Sequence, residues 1–249
     1  TDSNFVIKYE YNQTHRLKFK LEMNDDSLEF YHRIVPIKGM YNFRDIGGYL
    51  TETGKHIKWC KIYRGDHLLN LESDQDPLLE EIGINSIIDL RSSREINDSP
   101  NPYIGQIRSV YCDPNAHIAA FAGLIQDADK GLSIENILDN PDIDMTHITQ
   151  TQAEKQMIQQ QHDFVTTESG KTAFKRVLET MLLEDSAPSY QHCRGGKDRT
   201  GYSIMLIMAA LGVKKDLLVE DYLLTKKARE EKNAVYLEEF KKLAGDNEE

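Results

Sequence analysis

One stretch of ten residues constrains this chain more than any other: His192-Cys193-Arg194-Gly195-Gly196-Lys197-Asp198-Arg199-Thr200-Gly201. It joins a short strand-like run, Ser189 to His192, to an apolar helical run, Thr200 to Leu211, that Gly212 stops. Strand, tight turn and helix in that order belong to an α/β layer, and the paired glycines allow bends that side chains would obstruct. Such a turn lets successive backbone N–H groups converge at the positive end of a helix dipole, which makes a nest for an anion. Phosphate fits a nest of that kind. Arg199 can add a bidentate, charge-assisted pair to two phosphate oxygens, a geometry lysine cannot reproduce.

The same positive field falls on Cys193 and favours its sulfur in the nucleophilic, ionised form. A thiolate beneath a bound phosphate monoester is placed for in-line attack on phosphorus, giving a cysteinyl-phosphate that water then hydrolyses. Arg194, Gly195, Gly196, Lys197 and Thr200 are the expected substrate-binding residues around it. Donors that hold the ground-state oxygens also stabilise equatorial charge in the transition state. Inorganic phosphate or sulfate is expected in the same loop. The leaving group needs a proton, and two carboxylates compete to supply it. One is Asp198, inside the loop. The other is Asp89, in Ile87-Ile88-Asp89-Leu90-Arg91 at the end of a buried strand, the edge where open sheets place ligands. Thr200, ahead of Ser203, is placed to hydrogen-bond the sulfur, and His192 is expected to buttress the loop. No metal or cofactor is expected, and the H-E-x-x-H and G-x4-G-K-[ST] patterns are absent from the sequence. A non-catalytic phosphate-binding module is the alternative from another class, but loss of the cysteine or the arginine is its usual sign, and both are present.

The rest of the chain alternates strand and helix. Phe5 to Tyr11 and Arg16 to Met23 alternate apolar and polar residues around Asn12 to His15, which reads as a hairpin. Asn42-Phe43-Arg44-Asp45-Ile46-Gly47-Gly48 ends in a tight turn, with Arg44 either touching substrate or pairing with Asp45. Ile57 to Tyr63 and Asn85 to Leu90 read as strands, and Asp76 to Ile82 as a short helix with Pro77 in its first turn. Arg64, and Arg91 with Glu95, read as supporting ion pairs. Cys60 and Cys112 are read as core residues, and Asp113 comes near the site if the segment after it folds over. Between Asn115 and Gly170 the pattern loosens: an apolar stretch Ile118 to Ile125, turns at Asp129-Lys130-Gly131 and Asn140-Pro141, then a polar helical run Ile148 to Val165. This is expected to be a helical insertion over the sheet, either a lid or a packing appendage. Ala173 to Leu183 and two segments within Asp216 to Leu243 read as helices. The expected organisation is an N-terminal hairpin extension, 1–34, and a phosphatase-type domain, 35–249, with the insertion at about 115–170. Its fold class is α/β, a central, mostly parallel sheet flanked by helices.

Charge and cysteines narrow the partners. Lys plus Arg 30 against Asp plus Glu 41 gives a net charge of −11, so the global field repels nucleic acid and anionic membrane, and any bound anion needs a local site. Three cysteines far apart fit neither a disulfide scaffold nor a sulfur-rich zinc site. No apolar run approaches the roughly 20 residues of a membrane span, so the chain is expected to be soluble, cytoplasmic or secreted.

Asn42 to Gly48, Tyr63-Arg64-Gly65-Asp66-His67-Leu68, Ile88-Asp89-Leu90-Arg91-Ser92 and His192 to Gly201 together resemble the four signature stretches of the atypical bacterial and fungal branch of the cysteine-dependent protein tyrosine phosphatase superfamily. The resemblance spans about Ile34 to Val213. It implies Cys193 as nucleophile, Arg199 as phosphate clamp, and Lys197 with Asp198 as the loop pair of the branch, Asp198 being a favoured acid there. It implies phosphotyrosine, phosphoserine or phosphothreonine, and phosphoinositides as substrates, with inositol polyphosphates as the alternative. The helical lid of the family corresponds to the 115–170 insertion. Gly65 stands where the family usually has serine, and Arg194 is bulkier than the residue usually found after the cysteine. Arg194 and Lys197 at the mouth would favour substrates with more than one phosphate. The closing helix after Leu243 is expected to be short or absent.

Overall fold

The computed structural model describes residues 15–23, 26–71, 77–104, 107–116 and 150–244. An antiparallel ribbon of β1 (Lys18–Met23) and β2 (Asp26–Tyr31) precedes a five-stranded sheet. That sheet contains β3 (Arg44–Asp45), β4 (Ile62–Gly65), β5 (Ser86–Asp89), β6 (Arg108–Tyr111) and β7 (Ser189–His192), in the spatial order β3-β4-β7-β5-β6. β3 pairs antiparallel with β4, and every other neighbouring pair is parallel. The described helices are α1 (Pro77–Ile82), α2 (Ser93–Asp98), α3 (Gln150–Thr166), α4 (Glu168–Met181), α5 (Asp198–Ala210), α6 (Lys215–Ala228) and α7 (Glu230–Ala244).

Alternation along the strands builds a core on each face. Ile62 of β4 and Ile88 of β5 enter one apolar cluster with Phe164, Phe174, Val177, Ile204 and Met208 from α3, α4 and α5. Their neighbours Tyr63 and Ile87 face the opposite way, into a second cluster with Tyr190 of β7 and Leu78 and Leu79 of α1. Strands covered on both sides read as apolar runs, which is why Asn85 to Leu90 was legible.

Three elements differ from expectation. Lys18–Met23 pairs with Asp26–Tyr31, while Phe5 to Tyr11 lies outside the described residues. The strand expected at Ile57 to Tyr63 begins only at Ile62. Ile57 instead folds back on the glycine turn, with Ile57 N–H donating to Tyr49 O at 3.0 Å and Gly48 N–H to Ile57 O at 2.8 Å. Trp59 then lies so close over Gly47 and Gly48 that a Cβ on either would strike it, and Cys60 turns the chain with a φ of 60°. Of the insertion, residues 117–149, including the Ile118 to Ile125 stretch, lie outside the described residues. Its last part is core: Phe164 is buried, its ring 5.4 Å from Phe174 and 5.5 Å from Tyr202 of α5.

β7 therefore sits between β4 and β5, and its carboxyl end opens between Gly65-Asp66-His67 and Asp89-Leu90-Arg91. In an open α/β sheet this is the crevice that holds a ligand.

Candidate active site

The loop from Cys193 to Lys197 is held by its carbonyls. His192 Nδ1 donates to Cys193 O at 3.0 Å, and His67 N–H to Arg194 O at 3.0 Å. Arg229 Nη1 donates to Gly195 O at 2.9 Å, and both Asn42 Nδ2 and Arg64 Nη2 reach Gly196 O at 2.9 Å. Gly201 N–H donates to Lys197 O at 2.8 Å. In a planar trans peptide the following N–H points opposite to the C=O, so five carbonyls drawn outward turn the amides of residues 194–198 inward. Gly196 makes the bend with a φ of +62°, and a Cβ there would run into the Gly65 carbonyl. Gly65 itself has no room for a side chain beneath Tyr190 Oη, whose hydroxyl is bonded to Asp66 O. That packing accounts for glycine at a position where serine is usual.

Helix α5 starts at Asp198, two residues earlier than its apolar pattern indicates, so the positive end of its dipole meets the loop. Arg199 is buried and turned inward. Its Nη1 and Nη2 grip Glu95 Oε2 and Oε1 at 2.6 and 2.8 Å, and Nη1 also reaches Leu90 O at 3.2 Å. Burial works against the Arg199 charge, but Glu95 and then Cys193 hold the guanidinium above its ordinary value. Arg199 Nε and Thr200 Oγ1 are buried and make no hydrogen bond among the described residues. Ser203 Oγ is engaged with Gln191 Oε1 at 2.7 Å, which separates it from Thr200.

The two carboxylates proposed as acids sit in opposite surroundings. Asp89 is fully buried. It accepts from Arg91 N, Nε and Nη2 at 3.0, 3.0 and 2.7 Å, and from Asn101 Nδ2 at 3.0 Å. Burial opposes its charge, yet the cations around it, His192 when protonated and Arg91, hold the carboxyl down to about 2. His192, pushed down to about 4 by burial against the pull of Asp89, is neutral at pH 7. Its Nε2 accepts from Asn101 Nδ2 at 3.2 Å, which leaves the ring proton on Nδ1 for Cys193 O. Asp198 stands at the loop rim with its side chain 14% exposed, Tyr222 Oη 3.4 Å from Oδ1 and Lys197 Nζ 3.6 Å from Oδ2. Asp113, half-buried after β6, is close enough for its charge to act on Arg199.

Arg44 does not reach the loop. Residues 44 and 45 project to opposite sides of β3, so they cannot pair. Arg44 meets Asp221 of α6 at 3.3 Å, while Asp45 meets Arg16 at 2.6 Å. Arg64 reaches the same Asp221 at 2.6 Å. Arg91 pairs with Asp89, leaving Glu95 to Arg199. Arg194 is 3% exposed rather than at the mouth, close to Glu95, Arg91 and Arg199. Glu95 closes a capping box on α2 with Ser92, a Ser-x-x-Glu signal visible in the sequence. Asp221, Tyr222 and Arg229 carry no local signal.

Residues 35–248 match the sequence profile of the tyrosine phosphatase family. The chain belongs to that family. It is similar to the triple specificity protein phosphatase PtpB of Mycobacterium tuberculosis, 28% identical over 200 residues that cover 75% of this chain and 67% of the relative. A protein of Cupriavidus necator whose name places it among the tyrosine-protein phosphatases is 26% identical over 187 residues, 73% of this chain and 59% of its own length. A loop of inward amides, a buried guanidinium and a sulfur at the end of the central strand are the parts a cysteine-dependent phosphatase of this family needs. Among the described residues no helix is long and apolar enough to cross a membrane.

Proposed function

We propose that the chain hydrolyses phosphomonoesters through a cysteinyl-phosphate on Cys193. The outward anchoring of all five carbonyls from Cys193 to Lys197 carries this reading. It fixes an amide cradle before substrate arrives, so no reorganisation is needed as charge builds on the equatorial oxygens. Arg199 Nε and Thr200 Oγ1 are further donors for an anion.

In the first step the Cys193 thiolate bonds to phosphorus as the P–O bond to the leaving group breaks. The leaving oxygen takes a proton from Asp198. In the second, water attacks phosphorus, Asp198 accepts its proton, and the S–P bond breaks to release phosphate and the thiolate, which Thr200 Oγ1 stabilises. Asp89 is unsuited to the first step: it is ionised at neutral pH and its oxygens are taken by Arg91 and Asn101. Its role is to fix Arg91 and the loop's neighbouring strand.

Phosphotyrosine is the leading substrate class, with phosphoserine or phosphothreonine and phosphoinositides beside it; the triple specificity named for PtpB supports breadth of this kind. The test compares wild type, Cys193→Ser, Asp198→Asn, Asp113→Asn and Asp89→Asn on an aryl phosphate, a phosphotyrosine peptide and a phosphoinositide, in EDTA. Expected are full activity in EDTA, no turnover for Cys193→Ser, and for Asp198→Asn a loss of kcat/KM confined to poor leaving groups, since kcat/KM reports the first step alone. Such a loss in Asp113→Asn, with Asp198→Asn unaffected, would move the acid to Asp113. Turnover by Cys193→Ser would end the covalent mechanism.

A further inference from the structure

We propose that Tyr222 is the positioning residue for Asp198: its phenol hydroxyl fixes Oδ1 of that carboxyl and leaves Oδ2 to carry the proton to the leaving group. This rests on Asp198 being the acid, as proposed above. Tyr222 lies on α6, far in sequence from the loop, yet three observations bring it to the rim. Its Oη is 3.4 Å from Asp198 Oδ1. One edge of its ring packs on the first turn of α5, so that a Cβ on Gly201 would come within 2.8 Å of it. Burial and then the neighbouring Asp198 raise the hydroxyl above its ordinary value, while the residue as a whole stays 40% exposed.

The ring is also anchored from behind. The preceding residue, Asp221, is buried and binds Arg64 at 2.6 Å and Arg44 at 3.3 Å, so this turn of α6 is tied to the scaffold beneath the loop. Gly201 leaves the ring just enough space to rest on α5. The backbone that carries the phenol is therefore held by buried ion pairs.

The chemistry follows from donor and acceptor counts. A phenol hydroxyl can donate to Oδ1 whether Asp198 is ionised or protonated, because in the protonated acid Oδ1 is the carbonyl oxygen. At 3.4 Å the bond is long, as catalytic hydrogen bonds often are before substrate binds. Lys197 Nζ, 3.6 Å from Oδ2 on a half-exposed side chain, is free to swing aside. One fixed oxygen and one available oxygen are what directed proton delivery requires.

The test is Tyr222→Phe, which keeps the ring and removes only the hydroxyl, assayed in the full chain on aryl phosphates of graded leaving-group pKa and on a phosphoserine peptide. Expected is near wild-type kcat/KM with p-nitrophenyl phosphate. On the poorest leaving groups the expected loss is about tenfold, the size of one hydrogen bond to an acid. The double variant Tyr222→Phe with Asp198→Asn should lose no more than Asp198→Asn alone. A uniform loss on all substrates, or additive losses in the double variant, would overturn the proposal, since either shows Tyr222 acting apart from Asp198. If Asp198→Asn is itself insensitive to the leaving group, the acid assignment fails and this inference with it. If Asp198→Asn is sensitive and Tyr222→Phe is not, only the positioning role fails.

Discussion

At the scale of single residues, Glu95 carries two duties through one carboxylate. Its Oε2 accepts from Ser92 N at 2.8 Å, closing the cap of α2, and from Arg199 Nη1 at 2.6 Å, while Oε1 takes Arg199 Nη2. The guanidinium is thereby oriented with Nε unbonded among the described residues, and the pair is buried, so neither solvent nor salt softens it. Glu95→Gln would set an amide N–H against a guanidinium N–H and turn Arg199 out of line. Misplacement on this scale costs about 100-fold, so kcat/KM on an aryl phosphate should fall by about that much and inhibition by inorganic phosphate should weaken with it. Full phosphate affinity in this variant would show that Arg199 holds its place without Glu95. Glu95→Ala is the less informative change, because it also removes the acceptor that the Ser92 N–H has in the capping box.

At the scale of elements, α6 grips the catalytic loop along its length. Asp221 holds Arg64, which holds Gly196 O; Thr225 Oγ1 accepts from Arg44 Nη2 at 3.1 Å, and Arg44 in turn donates to Asn42, whose amide also holds Gly196 O; and Arg229, just past the helix end, holds Gly195 O. Asp221→Ala leaves two buried guanidinium groups without their shared counter-charge, and breaking a buried pair in this way costs about 3–5 kcal/mol. The urea midpoint should drop accordingly, and Asp221→Asn should refold better yet bind inorganic phosphate more weakly than wild type. Unchanged phosphate binding in a folded Asp221→Asn would separate α6 from the loop. These long-range ties mark where the sequence stops being readable. The loop, its strand and its helix were legible because their periodicity and glycines are local, and buried β5 because both its faces are apolar. The partner of Arg44 was not, since Asp221 lies 177 positions away and nothing nearby distinguishes it from the other acidic residues of a mixed-charge helix. Composition likewise cannot say that Arg194 points inward. The capping box at Ser92 was present in the sequence and would have given α2 directly.

At the scale of the whole molecule, the anion site works against the chain's own field. The net charge is −11, and the cations at and beneath the loop are buried and paired: Arg199 with Glu95, Arg64 with Asp221. Their influence is short in range, whereas the excess negative charge acts over the Debye length, about 30 Å at 0.01 M salt and 8 Å at 0.15 M. A phosphate already in the loop feels the donors; a phosphate on an anionic surface must first approach against the global repulsion. A phosphoinositide should therefore be hydrolysed faster as a short-chain, soluble ester than in vesicles rich in phosphatidylserine. Because screening weakens the repulsion, raising salt from about 0.01 to 0.15 M should narrow that gap by speeding the vesicle reaction. The reverse salt trend, with vesicle turnover highest at the lowest salt, would mean that a local basic face overrides the net charge, and membrane lipid would then move ahead of phosphoprotein as the substrate to pursue.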